Sequence, residues 1–289
     1  MKTYSYFPGC SLQRMAASYH VSAVETARAL GVELRELEDW NCCGATAYFH
    51  IDELLAATLC ARNLALAEEH GLDVVTPCSG CYKNLYFTRV HLQEDPDLAE
   101  HVNNALAEDG LQFRGTVRVR HLMEILVQDV GLPEIRRRIT HPLRGLRVAP
   151  YYGCQILRPR KSQAEDAPHF FEDLLTAIGA SPVDFPLRDR CCGGSLIVTH
   201  RPAALSMIYA LLQDAVDHDA EVLATACPLC QVNLECYQRH VNRTFGTTFK
   251  LPVLYFTQLV GLALGISPRR LGIGKELISP TPVLARVVG

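Results

Sequence analysis

Apolar and polar positions along this 289-residue chain alternate between strand-like and helix-like periods, and the whole order is run through twice. Thr3 to Phe7 predicts a short aromatic strand that delivers Cys10 after Pro8-Gly9. Ala16 to Leu30 predicts a helix closed by Gly31, and Val32 to Leu37 a second strand leading into Cys42-Cys43-Gly44. Asp52 to His70, rich in Ala and Leu, is the clearest helix, and Gly71 stops it. Asp73 to Pro77 predicts a buried strand ending at Cys78. A helix follows from about Gly80 and another spans Pro96 to Glu108. A β–α pair, Val117–Val119 and Leu122–Val130, completes the half.

The second half repeats the order. Leu146 to Tyr152 predicts a strand ending at Cys154, and Pro168 to Ile178 a helix ending at Gly179. Pro182 to Phe185 predicts a strand before Cys191-Cys192-Gly193-Gly194, followed by a helix over Ala203 to His218. Glu221 to Ala226 reads as a strand ending at Cys227, and Pro228 to about Phe245 as one helix. Pro252–Tyr255 and Thr257–Leu264 form the closing β–α pair. Strands alternating with helices predict an α/β fold of two pseudo-repeated halves, each a small, mainly parallel sheet with flanking helices. The expected division is residues 1–132, a linker at 133–145, and residues 146–289 including a C-terminal tail. Within that linker the Arg136-Arg137-Arg138 run reads as a solvated face.

With 48% hydrophobic and 20% charged residues, each half can bury a core, which excludes general disorder. A formal net charge of −3 gives no electrostatic footprint for nucleic acid. Arg outnumbers Lys 23 to 5, for which a compositional bias of the source genome is the plain explanation. The first ten residues contain no apolar run of signal-peptide type. The most apolar window, Leu251 to Ile266, falls short of the ~20 residues of a membrane span. A soluble, cytoplasmic protein is expected. Twelve cysteines in a reducing compartment then indicate metal ligation or redox chemistry rather than structural disulfides.

Ten of those cysteines fall into two matching frames. The first holds Cys10, Cys42-Cys43, and Cys78-x-x-Cys81; the second holds Cys154, Cys191-Cys192, and Cys227-x-x-Cys230. From the vicinal pair onward the copies lie a constant 149 residues apart, and even the tails match, Cys81-Tyr-Lys-Asn84-Leu85 against Cys230-Gln-Val-Asn233-Leu234. A structural zinc site takes four ligands and would leave one thiol idle in each half. Attachment of c-type haem needs a His after Cys-x-x-Cys, but Tyr82 and Gln231 stand there. A ferredoxin-type Cys-x-x-Cys-x-x-Cys run is absent. Iron–sulfur ligation remains. Adjacent side chains on an extended backbone diverge. Gly44 and Gly193-Gly194 allow the sharp turn that would bring both vicinal sulfurs to one group. Five thiolates around four irons favour a more open cluster than a closed cubane.

This arrangement resembles the CCG domain, and the pair of frames resembles the B-subunit of heterodisulfide reductase, over nearly the whole chain from Tyr4 to about Ile266. The intervals are 31 residues, the pair, 34 and Cys-x-x-Cys, then 36, the pair, 34 and Cys-x-x-Cys; the 34-residue interval is about one residue shorter than the family pattern. The resemblance implies Rossmann-like domains and two non-cubane [4Fe–4S] clusters facing one another across a cavity where a disulfide is split or formed. Cys10, Cys42, Cys43, Cys78 and Cys81 would bind one cluster, and Cys154, Cys191, Cys192, Cys227 and Cys230 the other. It also implies a ferredoxin-like C-subunit and a flavoprotein A-subunit as partners, because the chain has no Gly-x-Gly-x-x-Gly fingerprint of its own. The substrate would be a disulfide or thiol, carrier-bound in some related complexes. A second expectation is an electron-relay subunit of a lactate-, glycolate- or succinate-oxidising complex, where CCG domains also occur.

Other residues carry weaker signals. Cys60 and Cys236, outside both frames on predicted helices, read as core packing. His50 and His200 each stand seven or eight residues past the vicinal pair and read first as solvent-facing helix-start residues, with a place beside the cluster as the sharper alternative. Arg158 and Arg160 read as surface arginines, with an anionic substrate as the sharper alternative. Asn84 and Asn233 are expected to support the cysteine loops by local hydrogen bonds.

Overall fold

A computed structural model describes residues 2–45, 48–158 and 169–287. Each half is built on four parallel strands. In the first, β1 (Lys2–Tyr6) lies between β2 (Val32–Glu36) and β3 (Val74–Thr76), and β4 (Val119–His121) joins the free edge of β3. In the second, β5 (Arg147–Tyr151) lies between β6 (Ser181–Pro182) and β7 (Val222–Thr225), with β8 (Val253–Tyr255) beyond β7. The orders β2-β1-β3-β4 and β6-β5-β7-β8 are the same order, as the duplicated sequence requires.

Parallel neighbours need helical crossovers. The first half supplies α1 (Ala17–Ala29) and α2 (Glu53–Glu69), then α3 (Ser79–Glu94) and α4 (Pro96–Leu106). Local chemistry starts these helices. The Asp52 carboxylate accepts from Leu55 N at 2.9 Å, and Asp95 from Leu98 N at 3.0 Å with Pro96 in the first turn. After β4 a single turn, α5 (Leu122–Glu124), opens into a wider π-helical stretch over Ile125–Gly131 rather than the regular helix expected to Val130. The segment expected as a linker holds α6 (Leu132–Arg138). There Arg137 and Arg138 pair with Glu134, while Arg138 also donates to the Ala29 carbonyl at 2.8 Å.

The second half supplies α7 (Phe170–Ala177), α8 (Arg201–Asp217), α9 (Pro228–Cys236), α10 (Gln238–Phe245) and α11 (Phe256–Ala263), with a last short helix, α12 (Thr281–Leu284), in the tail. Pro168, the expected start of α7, lies outside the described residues. The single helix expected from Pro228 to Phe245 is two helices broken at Tyr237. Just past the break the Gln238 amide is tied to Leu251, accepting from its N–H at 3.0 Å and donating to its carbonyl at 2.8 Å, which swings the chain back toward β8. The strand expected over Pro182–Phe185 is reduced to Ser181–Pro182, an edge where a proline without an N–H is tolerated.

One face of the second sheet shares a continuous core with the first half. Val148, Val222, Ala224 and Leu254 belong to it, while the alternating Ala149, Tyr151, Leu223 and Val253 face α8 to α10 on the other side. The seam between halves is therefore interior. Tyr19 of α1 and Tyr255 stack with ring centroids 4.0 Å apart and planes 4° from parallel. Ser22 and Thr257 hydroxyls meet at 2.6 Å, and Thr26 donates to the Thr257 carbonyl at 2.9 Å. Packing of α1 on α11 is answered by packing of α7 on α5 and α6, so the two halves embrace reciprocally.

Candidate metal-binding site

In both sheets the strand order reverses beside the first strand, at β1/β3 and at β5/β7. The crevice beyond the strand ends at such a point is where open α/β sheets hold ligands. Cys10 follows β1, Cys42-Cys43 follow β2, and Cys78 follows β3 as the residue that caps α3, with Cys81 in its first turn. In the second half Cys154, Cys191-Cys192, Cys227 and Cys230 occupy the same places around β5, β6 and α9.

The sulfurs are drawn together in each half. Cys10 and Cys42 Sγ are 3.8 Å apart, Cys43 and Cys81 3.4 Å, and Cys192 and Cys230 3.5 Å; Cys154 and Cys191 are hydrogen-bonded likewise. All ten are free thiols, and none is paired as a disulfide. The turn after each vicinal pair uses a left-handed glycine, Gly44 at φ +66° and Gly193 at φ +73°. The glycine before each single cysteine is needed for space as well. A Cβ on Gly9 would stand 2.7 Å from Cys81 Sγ, and one on Gly153 3.2 Å from Cys230 Sγ. Each site is thus a cradle of sulfur lined by bare backbone.

Asn84 Nδ2 donates to the Cys43 carbonyl at 3.0 Å and Asn233 Nδ2 to the Cys192 carbonyl at 2.5 Å, so both asparagines support the loops as expected. Cys60 is fully buried and more than filler, because its thiol donates to the same Cys43 carbonyl at 3.2 Å. Cys236 corrects its expectation: it is exposed rather than packed in the core. His50 and His200 are both exposed, and His200 serves α8 by accepting from Ala203 N at 3.4 Å. Arg160 lies outside the described residues; Arg158 is exposed.

Charge is distributed alike in the two halves. Hydrogen bonds from Cys10 and then Cys43, helped by the backbone N–H groups of Gly44 and Ala45, pull the Cys42 thiol down to about 2. Cys154 and Cys192, with Gly193 N–H and nearby Arg158, pull Cys191 down to about 2. The thiols that donate, Cys10 and Cys154 among them, are pushed up by those same bonds and by burial. Cys227 is lowered by its bond from Cys230 and by the N–H groups at the start of α9. Five sulfurs this close cannot all ionise without a cation among them. Among the described residues, no three His, Cys, Asp or Glu side chains converge as a site for one metal ion. The donor set is all sulfur, soft, and more numerous than one tetrahedral ion uses, so it fits a group of several metal atoms.

Sequence reading missed Lys83, two residues past Cys81 and half-buried. Its ammonium lies 6.0 Å from the centroid of the Phe49 ring, and it interacts electrostatically with Arg158 and Cys154 of the second half as well as Cys43 and Cys60 of the first. The signal was available as a break in the repeat, since Val232 fills the matching position. The reciprocal seam also reaches the site: Ser79 Oγ, next to Cys78, donates at 2.9 Å to the carbonyl of Ala226, next to Cys227.

A fold of two such sulfur-bearing halves defines a class before any particular relative. The profile of the CCG cysteine-rich domain matches residues 4–86 and again 148–235. The chain belongs to the CCG cysteine-rich family, and within it to the proteins named as the B-subunit of heterodisulfide reductase. It is 34% identical over 293 aligned positions to the B-subunit of the Ferredoxin/F(420)H(2)-dependent CoB-CoM heterodisulfide reductase of Methanosarcina acetivorans, covering 99% of this chain and 97% of that one. It is 37% identical to the 8-methylmenaquinol:fumarate reductase membrane anchor subunit of Wolinella succinogenes, covering 97% and 98%. The crystal structure of a hypothetical protein from Helicobacter pylori superimposes with a TM-score of 0.77 at 17% identity. It covers 96% of this chain, which spans 52% of that one, and supports the fold. Among the described residues no helix is long and apolar enough to cross a membrane.

Proposed function

We propose that this chain is the iron–sulfur subunit of a heterodisulfide reductase-like complex, with one non-cubane [4Fe–4S] cluster in each half. Cys10, Cys42, Cys43, Cys78 and Cys81 would hold the first, and Cys154, Cys191, Cys192, Cys227 and Cys230 the second. The carrying observation is the duplicated five-sulfur cradle, the two copies linked at the seam by the hydrogen bond from Ser79 to Ala226. When bound, the clusters supply single electrons at two neighbouring points, which suits a bond whose cleavage takes two. The balance is one disulfide, two electrons and two protons giving two thiols, or the reverse. Electrons come from, or leave to, a ferredoxin-like C-subunit linked to a flavoprotein A-subunit. The chain's own residues do the holding. Glycines 9 and 153 admit the sulfurs, Asn84 and Asn233 fix the vicinal loops, and the Tyr19–Tyr255 stack sets the distance between halves. The cytoplasm, with its thiol substrates, is the matching compartment.

The likeness to a quinol:fumarate reductase subunit favours one second reading, in which the same clusters relay electrons and cleave nothing. Anaerobic iron and sulfide analysis with electron paramagnetic resonance tests the clusters. Disulfide turnover by the loaded chain with an artificial one-electron donor tests the reaction. About four irons per site with turnover supports disulfide chemistry. Intact cluster reduction without turnover selects the relay, and zinc in place of iron overturns both.

A further inference from the structure

One helix of the repeated module carries opposite charge in the two halves. Glu100-His101-Val102-Asn103-Asn104 of α4 matches Arg239-His240-Val241-Asn242-Arg243 of α10. The two stretches play the same structural part. Val102 and Val241 are both buried. Asn103 accepts from Phe113 N–H at 2.8 Å and donates to its carbonyl at 3.2 Å; Asn242 does the same with Phe249, at 2.8 and 2.9 Å. The spacing is 139 residues, ten fewer than between the cysteine frames, because α3 runs on to Glu94 whereas α9 stops at Cys236. On this shared frame Glu100 stands where the second copy has Arg239.

Around that position the signs separate. Residues 94–110 hold six carboxylates, Glu94, Asp95, Asp97, Glu100, Glu108 and Asp109, all exposed, and no Lys or Arg. Residues 236–250 hold Arg239, Arg243 and Lys250, all exposed, and no acid. Arg201 of α8 joins them, its guanidinium 5.8 Å from the centroid of the Tyr237 ring, which lies 5.5 Å from the His240 ring. Asp97, Glu100, Arg201, Arg239 and Arg243 have no ion-pair partner among the described residues. Elsewhere the chain mixes signs on a helix, as Glu25 with Arg28 in α1 and Glu134 with Arg137 and Arg138 in α6. Like charges three or four positions apart, Asp97 with Glu100 and Arg239 with Arg243, mildly disfavour an isolated helix, and a face of opposite sign laid across each would reverse that. The separation extends to the halves: residues 1–132 carry 10 Lys and Arg against 18 Asp and Glu, a net −8, and residues 133–289 carry 18 against 13, a net +5. α4 packs on α2 and α3, and α10 on α8 and α9, while α1 and α11 make the seam.

We propose that these two faces form a self-association surface, in which α4 of one copy lies against α10 and Arg201 of a second copy, with Asp97 and Glu100 meeting Arg239 and Arg243. The occupant is a second copy because the chain itself supplies a helix of matching frame and opposite charge. The contact is heterologous: each associated pair leaves one acidic and one basic face free, so rings or open chains of copies follow. Exposed ion pairs are individually weak and are screened by salt, so the association is weak and salt-dependent. It is independent of the disulfide reading above.

Sedimentation equilibrium of the full chain, purified anaerobically, tests this. In low salt the weight-average mass should climb with concentration above the 32.1 kDa of one chain. Between about 0.01 M and about 1 M salt the screening length drops from about 30 Å to about 3 Å, and the association constant should fall at least about tenfold. Arg239→Glu/Arg243→Glu and Asp97→Lys/Glu100→Lys should each stay monomeric alone, and a one-to-one mixture of the two should associate. Arg269→Glu/Lys275→Glu, which shifts the net charge equally but lies on the tail, should associate as the wild type does. A wild type that is monomeric in low salt overturns the proposal. So does association that survives either helix reversal, a mixture of folded variants that stays monomeric, or an equal loss in the tail variant, which would make net charge the cause.

Discussion

Replacing Asn233 by Ala should destabilise the protein more than the same change at its repeat partner Asn84, and the reason is a single thiol. The Cys192 carbonyl is buried and receives one donor among the described residues, Asn233 Nδ2 at 2.5 Å. The Cys43 carbonyl receives two, Asn84 Nδ2 at 3.0 Å and Cys60 Sγ at 3.2 Å. Tyr209 occupies the position of Cys60 in the second copy and gives no such bond among the described residues. Asn233→Ala therefore orphans a buried acceptor, worth about 1–3 kcal/mol, whereas Asn84→Ala leaves a weak sulfur donor behind and should cost about 1 kcal/mol. Urea unfolding of the metal-free protein reads the difference. With a slope near 3 kcal/mol per molar, a loss of about 2 kcal/mol moves the midpoint by roughly 0.7 M. A double-mutant cycle completes the test, since in a Cys60→Ala background Asn84→Ala should become as costly as Asn233→Ala. Equal costs at the two asparagines in the parent protein, or no coupling between Asn84 and Cys60, would refute the reasoning.

Two further outcomes follow from the same geometry. Gly9→Ala and Gly153→Ala both force a side chain onto a left-handed residue, at about 1–2 kcal/mol each. Only the first also drives a Cβ to 2.7 Å from a sulfur, so Gly9→Ala should strip iron from the first site while Gly153→Ala, at 3.2 Å, keeps most of its metal; iron analysis that ranks them the other way counts against the cradle. Burial raises the Glu235 carboxyl, against the lowering effect of Ile278 N–H and the Gln231 amide. A raised native value means the folded state holds more protons, so this stability is full below the unfolded value near 4.5 and is lost as pH rises through the folded one. Glu235→Gln should flatten the stability–pH curve just above that value, and a curve of unchanged slope would mean that Glu235 is not its source.

The fold was largely legible because duplication prints the same order twice. Six of the eight strands end within one residue of the place that alternation marks, β4 and β6 being the exceptions, the cysteine loops follow the strands expected to deliver them, and the asparagines behave as loop supports. What sequence could not carry was contact between distant positions. Nothing near Tyr19 announces that it stacks on Tyr255, and nothing near Cys60 shows that its thiol meets a carbonyl 17 positions earlier. The break at Tyr237 hid for the same reason: the residues around it favour a helix, and the bonds that bend the chain come from Leu251. Lys83 was passed over inside a matched tail, although it is the one position there that fails to match in charge.

The sulfurs of each cradle are graded in depth. Cys43, Cys78 and Cys81 are buried while Cys10 and Cys42 are exposed, and the second half grades its five in the same sense, with Cys154 and Cys191 outermost. The inner three are held within the packed core, whereas the outer two sit on loops that solvent reaches. Were each cradle to receive a cluster as proposed, the inner three thiols would already be in place and the outer two would close the open-lipped vessel over its contents.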